Sequence, residues 1–315
     1  MLLLATVFWG LSFPLIKTLT LLHARMFPDA GTWFHSIYAI APRFPLAIAI
    51  LIAWRPAGFW RISRLEWKQG GVIALFATAG MLLQNDGLQF TAASTSAFLT
   101  QFYAILIPIW TAVHLRRNPG ARVWWCCVLV LAGVAILGRF DPLVALRAGS
   151  QLHFGRGEWE TLLSSLFFMG QILWLEKKEF AANRPEKITL VLFGVQGTLL
   201  WLLAFATAPE PGALLVPWMS VPWLGLTLLL TVFCTVGAFL LMNTFQPKIT
   251  ATEAGLLYCI EPIFASIMAA FLPAWFSVWT GVDYPNEEAT WTLLVGGALI
   301  TVANVIVQLK PLPKE

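Results

Sequence analysis

Ionisable and amide side chains set inside long apolar runs are the groups here whose types and spacing can do chemistry. Glu261 lies near the middle of one such run and is followed by Pro262. A charge at the centre of a bilayer costs about 3 kcal/mol or more, so each one needs a reason. Proline removes a backbone donor and frees a carbonyl one turn back. A carboxylate beside a loosened backbone can bind a cationic group or carry a proton; it can also bond a neighbouring helix and do nothing else. On a continuous helix Tyr258 shares its face, where it can orient Glu261 or stack on a ligand. Arg43 lies between Pro42 and Pro45 at the centre of a second run. It can attract a carboxylate or phosphate, or tie two helices together through carbonyls or an acidic residue. Trp9, Phe13 and Lys17 recur every four residues and form one stripe. That stripe can be an aromatic floor with a cationic rim, or simple packing with Lys17 snorkelling to headgroups.

Amides form the rest of the set. Gln101 and Tyr103 lie deep in their run, with Thr100 on the Tyr103 face, and unpaired amides in hydrocarbon are expensive. Gln171 and Trp174 repeat a polar and aromatic pairing at i, i+3. Gln84, Asn85, Asp86 and Gln89 fall near a run's end, where interfacial hydration explains them and makes Asp86 a poor deep proton site. Gln196 and Asn304 read as interhelical hydrogen bonds. The predicted ligand-contact set is therefore Trp9, Phe13, Lys17, Arg43, Gln101, Tyr103, Gln171, Trp174, Tyr258 and Glu261, with Glu261 also the candidate for proton coupling. Cys126, Cys127, Cys234 and Cys259 all lie in apolar runs without metal-ligand spacing, so they read as small packing residues, and no metal or cofactor is expected.

The elements that must position these groups are membrane helices. The chain has 315 residues, 58% hydrophobic and 11% charged, with a mean hydropathy of +0.75. Soluble domains carry about 25% charge. A core of about 20 apolar residues spans a bilayer, and such runs fall at about 2–22, 33–54, 70–90, 94–115, 123–138, 159–175, 188–207, 219–241, 252–272 and 290–308. The first run lacks a basic leader and a small-residue cleavage pattern, so it reads as a span rather than a signal peptide; its abrupt start at Met1 suggests that a few natural residues precede it. With ten spans and the N-terminus inside, 14 Lys and Arg fall in cytoplasmic segments and 4 (Arg25, Arg139, Arg147 and Arg156) outside, while Lys17 and Arg43 complete the 20. That asymmetry places both termini in the cytoplasm. It also explains the net charge of +4 and pI of 9.0 without nucleic acid. Trp54, Trp60, Trp67, Trp124, Trp125, Trp218, Trp223 and Trp291 lie at span ends as an interfacial belt, and Trp9 is the clearest interior exception.

The halves resemble each other. Thr91-Ala92-Ala93-Ser94-Thr95-Ser96-Ala97-Phe98-Leu99 opens the fourth span and Ile249-Thr250-Ala251-Thr252-Glu253-Ala254-Gly255-Leu256-Leu257 the ninth, 158 residues later. Five spans per repeat invert the second repeat, a pattern of secondary transporters with a site near the midplane; chance likeness of two Ala- and Thr-rich helix starts is the plainer alternative. The expected organisation is a first repeat over 1–140, an outer loop over 141–157, a second repeat over 158–310 and a cytoplasmic tail over 311–315.

With these motifs in order, the sequence resembles the EamA-type branch of the drug/metabolite transporter superfamily. Trp9-Gly10-Leu11-Ser12-Phe13 is similar to its first-helix signature, Arg43-Phe44 and the run after it to its second helix, and Thr91 to Pro108 to its fourth. Tyr258-Cys259-Ile260-Glu261-Pro262-Ile263-Phe264-Ala265 is similar to the Glu-Pro-aliphatic-aromatic-Ala motif of its second repeat. Pro108 lies nine residues after Leu99 but Pro262 five after Leu257, so the halves are not interchangeable. The resemblance implies an all-α, ten-helix inverted-repeat protein of a bacterial inner membrane. It would move a small metabolite, an amino acid or related amphiphile, by alternating access, with a proton or counter-substrate as energy source. Direction is open, with export preferred. A membrane enzyme is disfavoured: Asp86 is the lone aspartate in a span, no HExxH occurs, and His23, His35, His114 and His153 form no close pair. A ligand sensor without net flux stays open.

Overall fold

The computed structural model describes residues 1–54, 61–114, 121–137, 155–249 and 251–308. Arg55, Trp60, Arg116, Arg117, Arg139, Arg147, His153, Lys310 and Lys314, most of the 141–157 loop and the whole 311–315 tail lie outside the described residues. All regular structure among the described residues is helical, as hydrocarbon requires of chains that must satisfy their own backbone groups. Around an extensive apolar core, large apolar side chains also face outward and many polar ones are buried. Phe205, Phe271, Trp275 and Val278 face outward, while Gln69, Asn85, Asp86, Gln101, Gln196, Asn243 and Gln246 are buried.

The helices are α1 (Leu2–Met26), α2 (Thr32–Ile40), α3 (Arg43–Trp54), α4 (Arg64–Gly87), α5 (Ala93–Thr100), α6 (Tyr103–His114), α7 (Ala121–Leu137), α8 (Arg156–Leu175), α9 (Pro185–Thr207), α10 (Val221–Leu229), α11 (Ala238–Phe245), α12 (Ala251–Tyr258), α13 (Glu261–Thr280) and α14 (Trp291–Gln308). Among the described residues six helical stretches are long and apolar enough to cross a membrane: Leu2–Met26, Thr32–Trp54, Ala93–His114, Pro185–Thr207, Val221–Lys248 and Glu261–Thr280. Trp124–Ile136 and Trp291–Ile306 are apolar but shorter.

Runs expected to be continuous are interrupted. The second breaks at Ala41 and Pro42, between α2 and α3. The fourth breaks after Thr100, where Gln101 and Phe102 donate to Phe98 and Leu99 in tightened i to i−3 turns. The ninth breaks after Tyr258, whose carbonyl Pro262 cannot engage. Between α10 and α11, Leu230–Gly237 is π-helical. Ala93 and Ala251 open α5 and α12, and Tyr103 and Glu261 open α6 and α13, each pair 158 residues apart.

Close backbone approach locks some helices together. A Cβ on Gly10 of α1 would fall 2.9 Å from the backbone nitrogen of Ala265 in α13, the small-residue contact that lets membrane helices touch. Trp223, expected in the interfacial belt, is fully buried and donates Nε1–H to His23 Nε2 at 2.7 Å. His23 packs on Tyr38 and His35 on Phe34, and those two rings stack; His23 and His35 also interact, contrary to expectation. The expected interhelical bond of Asn304 is not formed among the described residues, whereas Gln196 does reach across, to Met81 Sδ at 3.0 Å.

At the other end, α4 begins with a reciprocal cap. Ser63 Oγ accepts from the Glu66 amide at 3.1 Å and Glu66 Oε2 from the Ser63 amide at 2.7 Å. Arg184 adds its Nε at 2.8 Å from Glu66 Oε1. Burial by itself would raise the Glu66 carboxyl, but the hydrogen bonds from Arg184 and Ser63 outweigh it and hold the pKa at about 2. A depressed carboxyl stabilises the fold above its unfolded pKa, and that contribution is lost as pH falls from about 4.5 towards 2. Glu66→Ala should cost about 2 kcal/mol and flatten the acid limb of a melting-temperature profile over that window. An unchanged profile would return the cap to an incidental contact.

Candidate functional site

The interruptions converge on one cavity of about 90 Å³. Arg43, Tyr103 and Glu261 line it, and each is the first residue of the helix that follows a break. The π-helical turn contributes Cys234, and α11 just beyond it contributes Phe239 and Met242. Broken helices in membranes occur where backbone lines a cavity or protein interior, and π-helical turns cluster at functional sites. Helices α1, α4 and α8 close the remaining sides with Trp9 and Phe13, with Met81, Gln84 and Asn85, and with Phe168 and Gln171.

Glu261 is 7% exposed, and its hydrogen-bond partner is Gln101 Nε2, at a long 3.5 Å. Arg43 is 2% exposed. It donates from Nη2 to Met81 Sδ at 2.9 Å and lies 4.9 Å from the Phe44 ring centre, so among the described residues it ties no helix through a carbonyl or carboxylate. Tyr258 donates to Gln246 Oε1 at 2.9 Å, and Gln246 Nε2 donates to the Ile172 carbonyl at 3.2 Å. The expected helical pairing of Tyr258 with Glu261 is replaced by this chain, because the break lies between them. Trp9 packs edge-on to Tyr258 and Phe239, with ring centres 5.3 and 6.1 Å apart.

Of the predicted set, Trp9, Phe13, Arg43, Tyr103, Gln171, Tyr258 and Glu261 border the cavity. Gln101 stands behind Glu261 rather than in the lining. Lys17 leaves the stripe and donates to the Thr91 carbonyl at 2.5 Å, with its ammonium 5.7 Å from the Tyr284 ring centre. Trp174 turns away from Gln171 and lies under Lys177, 3.7 Å from its ammonium.

Sequence reasoning missed Gln84 and Asn85. They are not at a hydrated surface: Asn85 is buried, and Gln84 donates to Thr100 Oγ1 at 2.8 Å. Met81, Gln84 and Asn85 at i, i+3, i+4 are one helix face, the signal that could have found them. Asp86, on another face, is fully buried. It pairs with Arg156 and accepts from Ser36 at 3.0 Å. Among the described residues no cluster of His, Cys, Asp or Glu is suited to hold a metal ion, and the four cysteines are buried thiols.

Residues 1–139 match the model of the EamA-like transporter family. An uncharacterized transporter of Archaeoglobus fulgidus is 23% identical over 308 residues, covering 98% of this chain and 84% of that protein. A solved crystal structure superposes with a TM-score of 0.56 at 15% identity, covering 96% of each chain, which is a likeness of fold alone.

Proposed function

We propose that this chain is a secondary-active carrier of the EamA-like transporter type, whose family model residues 1–139 match, and that its substrate occupies the cavity between the interrupted helices. The observation that carries this reading is the meeting of Arg43, Tyr103 and Glu261, each at a helix break, around one cavity. Interrupted helices at the midplane are where carriers of inverted-repeat construction bind substrate and coupling ion. Ten spans in two inverted repeats, both termini cytoplasmic, follow from the 158-residue correspondence and the Lys and Arg asymmetry. The substrate is a small organic metabolite, an amino acid or related amphiphile, and the working direction in a bacterial inner membrane is export. One repeat rocks against the other, and Glu261 exchanges a proton as it does so.

The test is counterflow in liposomes containing purified protein. Vesicles preloaded with one unlabelled amphiphile should accumulate the labelled compound transiently. Protein that binds a compound but never exchanges it would sink the carrier reading. Trp9→Ala should raise the half-saturating concentration about threefold to tenfold, since aromatic contacts contribute about 0.5–1.5 kcal/mol. A defect confined to the melting temperature would return Trp9 to packing.

A further inference from the structure

Two buried donors at the cavity meet no acceptor among the described residues. The Arg43 fork is almost wholly buried. Nη2 reaches the Met81 thioether, and Nε has no partner among the described residues. Asn85 is equally buried, and its Nδ2 also lacks an acceptor among them. Gln171 turns its Nε2 to Met242 Sδ at 3.6 Å. Thioethers are weak acceptors, and buried donors without an oxygen are costly, charged ones most of all. Ion pairs among the described residues engage Lys68, Arg156 and Arg184, and none engages Arg43. Glu261 borders the same space but bonds Gln101, not Arg43. A guanidinium therefore faces the cavity without a direct ion pair among the described residues, and its fork matches a planar pair of carboxylate oxygens.

We propose that Arg43 and Asn85 form the seat for the carboxylate of the cavity's ligand, and that this ligand is a monocarboxylate rather than a phosphate ester. The proposal rests on the carrier reading for its biological meaning and sharpens it to a head group. The charge count selects the valence. The lining holds one cation, Arg43, and one carboxyl group, Glu261. With Glu261 protonated, a monocarboxylate balances Arg43, whereas a phosphate dianion leaves one surplus negative charge beside Glu261 in a low-dielectric space. The lining also offers Trp9, Phe13, Phe168 and Phe239 to an apolar body, beside the polar Ser12 and Gln171.

The test uses the purified full chain in detergent and probes that share one skeleton but differ in head group: 4-methylpentanoate, leucine, 3-methylbutylamine and 3-methylbutyl phosphate. Binding is read from tryptophan fluorescence and from the ligand-dependent rise in melting temperature. Both carboxylates should bind saturably, and the amine and phosphate should not. Arg43→Gln should weaken carboxylate binding at least about tenfold, and Arg43→Lys should restore it only in part, because lysine lacks the fork. Asn85→Ala should weaken it several-fold without removing a charge, which keeps the test readable if the Arg43 variants do not fold. Equal or tighter binding of the amine or phosphate, unchanged carboxylate binding in the Asn85 and folded Arg43 variants, or no probe bound by the wild type would each overturn the seat. Counterflow with the same probes separates the two readings. Carboxylates that bind through Arg43 but never cross defeat the carrier and leave the seat; an amine or phosphate that crosses while carboxylates do not defeats the seat and leaves the carrier.

Discussion

Glu261→Gln should abolish gradient-driven accumulation while sparing counterflow. The substitution keeps the volume and one carbonyl acceptor but cannot carry a proton. The wild-type carboxyl group has one partner, Gln101, at 3.5 Å, so little hydrogen bonding is lost and the melting temperature should stay within about the range of a neutral substitution. Gln101 can turn its amide to meet either form of the side chain, which a buried, exchanging proton site requires. In liposomes with an imposed pH gradient, the wild type should concentrate substrate and the variant should only equilibrate it. The dependence of flux on pH should flatten in the variant. A glutamate that merely fastens helices gives the opposite pattern, with coupling intact and stability reduced. Unchanged flux with unchanged pH dependence would remove Glu261 from the coupling step and leave it as part of the lining.

Much of this was legible in the sequence because hydrocarbon leaves a chain few options. Apolar runs, their lengths and the singular polar groups inside them pointed to helices and to Glu261, Arg43 and Trp9. The breaks were less legible. Pro42 and Pro262 mark two of them, but nothing local marks the break after Thr100, and it was read as one continuous helix. That continuity assumption misplaced Tyr258, which a break separates from Glu261, and Gln101, which the turn sets behind the lining. Lys17 and Trp174 lie outside the cavity lining for another reason. Both lie on stripes with true lining residues, but long or amphipathic side chains follow local partners, here the Thr91 carbonyl and the Lys177 ammonium. For Gln84 and Asn85, nearness to the end of a run reads from sequence as nearness to water, yet Asn85 is buried. Neighbouring elements cover that end, which only the tertiary structure shows.

Glu287→Ala should open the end of the bundle where α5 begins. The segment 281–290 leaves α13 through Gly281 in the left-handed region, at φ 68, and folds back along the same helix. Pro273 has no N–H, so the Ala269 carbonyl is free to accept the Glu287 amide at 2.9 Å; the Ala274 amide donates to Asn286 Oδ1 at 2.9 Å. Held there, the Glu287 carboxylate accepts from the Ala93 and Ser94 amides at 2.6 and 3.1 Å and from Ser94 Oγ at 2.6 Å. It thus caps α5, and Lys17 bonds Thr91 beside it. A carrier that alternates must break such a closure once per cycle. Hydrogen bonds to a charged group contribute about 1.5–3 kcal/mol, so their loss should shift the open and closed populations about tenfold to a hundredfold. A single cysteine placed at Thr95 should then react with a membrane-impermeant maleimide correspondingly faster in the Glu287→Ala background, and Glu287→Gln should fall between. Faster labelling with an unchanged melting temperature marks a gate. A lower melting temperature with unchanged labelling marks a helix cap that serves the fold alone.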